Sequence, residues 1–298
     1  MLVSLVSNSK PLPPEQPDVV VPWWSFTKTV LAAASLTLVR DGLIGLDDSV
    51  SEGPFTLRQL LRHQAGLADY SELAHYHTAV FQDETPWPAD DMLQRLDAAR
   101  LRYEPGTHWH YSNVGYLFVA RLIQRITGLT LEQALAQRVF APLGVTQVRL
   151  ARTREDLKGV RLGSAPAYDP GWVYHGLLVG PLAQATQLLD QLLGGALLPV
   201  SLLREMQTPV HLGGPIPGRP WNTPGYALGL MIGDVDSGLT LRGHTGAGPG
   251  SVLAVYRCVE GGNTATCAVF AESDDQGSAE AHALEHLSAA LGSRQSIT

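Results

Sequence analysis

The sequence predicts an α+β fold in which one antiparallel sheet is flanked by helices and carries an inserted, mainly helical lobe. Three observations predict it. Short β-rich runs between turn residues fill the last third of the chain, as successive antiparallel strands do. The middle third has helical spacing that Gly and Pro break repeatedly. An almost wholly apolar helical stretch stands near the start, another helix closes the chain, and there is no internal repeat.

Taken in order, residues 2–6 read as a short strand, and Pro11, Leu12, Pro13 and Pro14 break whatever follows. A second β-branched run occupies 19–21. Residues 25–40 predict a helix, because Leu31, Ala32, Ala33, Ala34, Leu38 and Val39 leave it nearly no polar side and Gly42 stands where a C-cap belongs. A helix that is apolar all round is buried, which puts Ser25 at the mouth of a core element. Helical spacing recurs at 57–63, 91–101, 114–127 and 131–140, punctuated by Gly66, Pro86, Pro88, Pro105, Gly106, Gly128 and Pro142. Residues 151–225 are mixed, with a helix over 182–193 and a Pro/Gly-rich loop over 209–225. Strands are expected at 226–232, 239–242, 251–259 and 264–272, then a helix over 279–291 with Ala281, Leu284, Leu287 and Leu291 on its apolar positions. The division that follows is a sheet lobe from 1–50 and 225–298, a helical lobe from 51–224, and an active site at their seam.

Composition narrows the function. Apolar residues make up 45% of the 298, enough for a sizeable core, which excludes a disordered chain. The formal net charge of −7, with no basic cluster, argues against nucleic acid as a partner. No apolar run reaches the roughly 18 residues of a membrane span, and residues 1–10 lack the basic start of a signal peptide. A cytoplasmic enzyme is therefore the expectation. Two cysteines, Cys258 and Cys267, are too few for a disulfide framework. They flank a turn at Gly261, Gly262 and Asn263 and could face each other across a hairpin; the plainer reading is two half-buried strand thiols.

Only three lysines stand against eighteen arginines, so each lysine is informative. Lys28 lies three residues after Ser25, and on a helix those positions share a face. A helix N-terminus favours a developing alkoxide and disfavours a protonated amine, so the pair reads as a serine nucleophile with a lysine base. Tyr111, Ser112 and Asn113 stand just before a predicted helix. A phenol can move a proton if a nearby ammonium lowers its pKa, and the Asn side chain can hold an amide or ester; capping by Ser112 or Asn113 is the plainer use. Third, the segment from Gly243 through His244, Thr245, Gly246, Ala247, Gly248 and Pro249 to Gly250 is dense enough in glycine to let another backbone approach closely. There His244 and Thr245 could bind a substrate carboxylate or relay a proton.

These three elements, in this order, resemble the serine β-lactamase and penicillin-binding-protein superfamily, whose Ser-x-x-Lys chemistry they match. The nearest likeness is to the class C β-lactamase-related branch with its Tyr-x-Asn second motif, in the His-Thr-Gly variant found among carboxylesterases and D-Ala-D-Ala carboxypeptidases. Residues 56–67 (TLRQLLRHQAGL) and 40–48 (RDGLIGLDD) also look like stretches of that family. The resemblance spans roughly residues 20–292 and implies a β-lactamase/transpeptidase-like fold. It implies that Ser25, Lys28 and Tyr111 are catalytic, and that Asn113, His244, Thr245 and Gly246 bind substrate. The backbone N–H groups of Ser25 and Ala247 would form the oxyanion hole. No cofactor and no metal are implied.

Three departures bear on substrate and assembly. Family members carry two long strands before the nucleophile helix, and here 24 residues precede Ser25. Either the sheet is short by a strand or a second copy of the chain covers its edge, making a homo-oligomer. Residues 179–181 replace a Ser-Thr-x-x-Asp stretch, and Gln64 and Ala65 stand where Thr-Ser is usual. Trp23, Trp24, Trp109 and Trp172 suggest an apolar pocket. The expected activity is a carboxylesterase-type hydrolysis of small ester or amide substrates. The alternatives are a D-amino-acid-directed peptidase, weak β-lactamase activity, acyl transfer, and a catalytically idle scaffold. A zinc site from His75, His77, His108 and His110 is disfavoured because no further ligand stands at the required spacing. A Gly-x-Ser-x-Gly nucleophile elbow is absent, and the glycines at 246, 248 and 250 fit no dinucleotide fingerprint.

Overall fold

A computed structural model describes residues 1–13, 19–163 and 168–292. Pro14, the end of the expected breaker, lies outside them. The chain runs β1 (Leu2–Ser7), β2 (Lys10–Pro11), β3 (Val20–Pro22), α1 (Thr27–Arg40), α2 (Leu57–Leu61), α3 (Ala74–Phe81), α4 (Ala89–Arg95), α5 (Asn113–Thr127) and α6 (Leu131–Leu135). It continues through β4 (Arg149–Ala151), β5 (Leu177–Pro181), α7 (Leu182–Leu193), α8 (Val200–Met206), β6 (Val210–His211), β7 (Trp221–Tyr226) and β8 (Met231–Val235). The last elements are β9 (Thr240–Gly248), β10 (Ser251–Glu260), β11 (Asn263–Ala271) and α9 (Gln276–Gly292).

Eight strands form one antiparallel sheet in the order β2-β1-β11-β10-β9-β8-β7-β6, and β3-β5-β4 form a small second sheet. Side chains alternate across the long central strands and divide the core between two faces. Leu253, Val255, Ala268 and Phe270 turn toward α1 and α7, whereas Val252, Ala254, Tyr256, Cys258, Ala265 and Cys267 turn toward α9. The α+β expectation, a sheet covered on both faces by helices, describes this arrangement.

Several expectations shift. The segment 209–225 is not only loop: β6 and β7 lie in it and join the sheet, so a boundary at 225 cuts through β7. Its prolines and glycines punctuate short strands. A strand over 226–232 is really the end of β7, a turn and the start of β8, and Gly229, at φ +74°, forms the turn. The helix expected over 91–101 is α4, displaced toward its N-terminus, and 131–140 divides into α6 and a π-helical turn. In α9 it is Ala279, Ala283, Leu287 and Leu291 that are buried; Ala281 is exposed, and the charged Glu280 is wholly buried. Cys258 and Cys267 are fully buried and free, opposite Ala265 and Tyr256 rather than each other.

Register also creates the site. β9 pairs with β8 only as far as Gly243, opposite Met231, but with β10 as far as Gly248. Residues 244–248 therefore extend past the end of β8, and one strand edge is left for another part of the chain.

Candidate active site

The segment on that edge is the turn before α1. Ser25 does not open an α-helix as expected; it sits in a single 3₁₀ turn, Trp24–Phe26. Trp24 has φ +39°, a left-handed conformation that costs a non-glycine residue about 1–3 kcal/mol. Packing holds the strain: Trp23 is wholly buried, the Trp24 indole donates to Ser251 Oγ at 3.1 Å, and Phe26 N donates to Trp23 O at 2.8 Å. A Cβ on Gly246 would lie 2.5 Å from Ser25 N, and one on Gly248 would lie 2.5 Å from the Trp24 ring. The glycines thus make room for the serine's own turn rather than for an outside molecule.

Two groups reach Ser25 Oγ. Lys28 Nζ is 3.1 Å away, and Tyr111 donates its hydroxyl from 3.0 Å. Lys28 also donates to Asn113 Oδ1 at 2.7 Å and lies 3.3 Å from His175 Nε2. The Asn113 amide is turned by Asp69, whose carboxylate accepts from Asn113 Nδ2 at 3.1 Å and from the Asn113 backbone N–H at 3.1 Å. Ser112 caps α5 by accepting from Gly115 N, and its own N–H donates to His63 Nδ1 at 3.1 Å. The His63 ring in turn lies under Tyr111, with 4.3 Å between centroids.

Burial sets the protonation states. Lys28 is wholly buried, which lowers its pKa to about 7, and the Asp69 carboxylate opposes that shift. Tyr111 moves the other way. Burial pushes its phenol well above the ordinary value, so the expected lowering by a neighbouring ammonium does not occur and the group stays a neutral donor. Burial, with Lys28 next, also holds His63 and His175 well below the usual histidine range.

In the third motif, His244 is 1% exposed, and burial and then Lys28 lower its pKa to about 3. It pairs with the Tyr226 hydroxyl at 3.0 Å and with Thr245 O at 2.7 Å. A neutral ring so engaged is not a cationic receptor for a carboxylate at neutral pH. Thr245 points to the other side of the strand, where its hydroxyl donates to Glu280 Oε1 at 2.5 Å beside Tyr256. Glu280 also accepts from Trp221 Nε1 at 3.0 Å and from Arg219 through Nε at 2.7 Å and through Nη2.

Two cavities, of about 350 and 490 Å³, open on either side of Ser25 and share Ser25, Ser71, Asn113 and Ala247 in their walls. Trp24, Tyr70, Tyr76 and Tyr168 line the first; Trp109, Ile216, Trp221, Tyr226 and Arg219 line the second. Of the four expected pocket tryptophans, Trp24 and Trp109 are in these walls, and Trp23 and Trp172 are core residues. Among the described residues no three His, Cys, Asp or Glu side chains are grouped for a metal, and His110 pairs with Glu72 at 2.6 Å. Hydrogen bonds bring Ser25, Lys28, Tyr111 and Asn113 together, Gly246 lies against the Ser25 turn, and His244, Thr245 and Ala247 share the wall of the second cavity with Ser25. Asp69, His175 and Glu280 were not foreseen, and His63 entered only as one letter of the 56–67 stretch.

A family profile described as Beta-lactamase matches residues 4–290. Among curated relatives, lovastatin esterase from Penicillium rubens is 29% identical over 198 residues, covering 56% of this chain and 48% of its own. D-aminopeptidase from Brucella anthropi is 28% identical over 287 residues, covering 90% of this chain and 51% of its own. The chain thus spans about half the length of these relatives. Among solved structures, a D-amino acid amidase from Ochrobactrum anthropi SV3, complexed with L-phenylalanine amide, superposes with a TM-score of 0.80. At 21% identity, covering 99% of this chain and 93% of that one, it shows a shared fold.

Proposed function

The chain belongs to the Beta-lactamase family, a group of serine hydrolases, and from that premise we propose that Ser25 forms an acyl-enzyme with small ester or amide substrates. The observation that carries the reading is the pair of contacts on Ser25 Oγ, from Lys28 Nζ at 3.1 Å and Tyr111 at 3.0 Å. With its pKa lowered to about 7, Lys28 has a substantial neutral fraction at neutral pH. The neutral amine takes the Ser25 proton as Oγ attacks the carbonyl carbon, and the carbonyl electron pair moves onto oxygen. The N–H groups of Ser25 and Ala247 receive that oxyanion, each donor typically contributing ~3 kcal/mol. Tyr111, neutral throughout, relays the proton to the leaving group. Water then attacks the ester on Ser25 by the same route in reverse.

Asn113 and His244 act through the shape of the site: both are already hydrogen-bonded to protein, Asn113 to Lys28 and Asp69, His244 to Tyr226. The tyrosine-rich wall of the first cavity suits an apolar or aromatic acyl group, which favours an esterase-type activity. A second reading, a peptidase directed at D-amino acids, is favoured by the D-aminopeptidase likeness, which spans far more of the chain than the esterase likeness does.

Two measurements test these readings. A fluorophosphonate should add mass to the peptide containing Ser25 in the natural chain and leave Ser25→Ala unmodified; equal labelling of both removes the nucleophile. On one sample, p-nitrophenyl butyrate, a D-Ala-D-Ala peptide, a D-amino acid amide and nitrocefin should rank with the ester first. The D-amino acid amide in first place selects the peptidase reading instead.

A further inference from the structure

Three groups surround the amine of Lys28, and two of them do more than surround it. Asn113 Oδ1, at 2.7 Å, can only accept, because the nitrogen end of that amide faces both oxygens of Asp69 at 3.1 Å. His175 Nε2 stands 3.3 Å away on the segment leading into β5. His175 is 2% exposed, and Gly176 beside it, at φ +96°, turns the chain sharply. Its second ring nitrogen, Nδ1, is buried and has no hydrogen-bond partner among the described residues.

A neutral amine has two N–H bonds and one lone pair. Asn113 takes one N–H. If nothing takes the other, the amine can rotate and direct that N–H at Ser25, where it protects the serine proton instead of removing it.

We propose that His175 is a positioning residue for this reaction, accepting the second N–H of Lys28 on Nε2 and thereby aiming the lysine lone pair at Ser25. The proposal rests on the reading of Ser25 as nucleophile and Lys28 as base. It fixes the tautomer: Nε2 is bare and the ring proton is on Nδ1. It also leaves the acceptor set unchanged by proton transfer. As the Ser25 O–H bond breaks and Oγ bonds to the carbonyl carbon, the proton moves to Lys28 Nζ. The resulting ammonium donates to Ser25, Asn113 and His175. The titratable groups facing the amine are Asp69, His63, Tyr111, Tyr116, His175 and His244, and Asp69 is the anion among them.

The test uses a matched pair of variants, since Gln carries its polar end about as far from the backbone as Nε2 and Asn stops near Nδ1. Phosphonate labelling and ester hydrolysis are followed across the acid limb of the pH profile. His175→Asn is expected to lower kcat and the labelling rate by about 10- to 100-fold at nearly constant KM. It should also move the acid limb to lower pH by about half a unit, because the ammonium loses an acceptor. His175→Gln should recover most of the rate and the limb. Equal losses in both variants, or an unmoved limb in the Asn variant, overturn the proposal, because the ring then only fills space. Labelling of the natural chain that does not depend on Ser25 defeats the underlying reading instead.

Discussion

Lys28 is useful where it is and costly for the same reason. Its amine is charged in the unfolded chain up to the ordinary lysine value of 10.5, but in the folded protein only up to about 7. Between these values the unfolded state binds more protons, so folding stability rises with pH across that window; below about 7 the full cost of burying the charge remains. Lys28→Met should therefore abolish acylation and yet raise the Tm at pH 6. The gain is on the order of a few kcal/mol, less the cost of leaving Asn113 without its donor, and it should shrink as pH approaches 10. Thermal melts at several pH values check this, and a gain independent of pH would contradict it. The Ser25–Lys28 relation was legible because a three-residue step fixes its geometry locally. His175 and Asp69 were not, because each is a single residue brought in by a loop whose path no periodicity reports.

Among the elements, β9 does the most to define the site. Its last residues outrun β8, and two of them lack a side chain where the nucleophile turn must lie against the strand. Gly246→Ala should lower the Tm without preventing folding, since the new Cβ presses on the Ser25 and Trp23 backbone of a buried turn. It should reduce kcat/KM by about 100-fold or more, the loss expected of a displacement near 1 Å at the reacting atom. A folded Gly246→Ala enzyme with normal labelling kinetics would show that the turn does not rest on this strand. The segment was legible as the third of three signatures, but not the reason for its glycines, which depends on how far two neighbouring strands pair. Helix α7 was legible residue for residue because twelve positions repeat the pattern. The short strands β6 and β7 were hidden because Pro and Gly occur between and within them.

At the scale of the whole molecule, the first strand lies beside the last, and the two faces of the sheet hold separate cores. Alternation in the final third made that layering legible, while the register that joins β1 to β11 could not be read from either strand alone. The central hairpin of β10 and β11 places Cys258 and Cys267 under α9, fully buried. Burial pushes Cys258 up to about 12 and raises Cys267 further in the same direction, so neither forms the reactive anion in the folded state. An alkylating agent can therefore reach them only when α9 lifts and the sheet parts, and the two should react together, at a rate that tracks global opening rather than reagent access. A slow, paired two-adduct mass increase that accelerates with denaturant is expected, whereas rapid modification of one cysteine under native conditions would refute it. The chain in this way carries its own stopwatch for unfolding, with no probe to be engineered in.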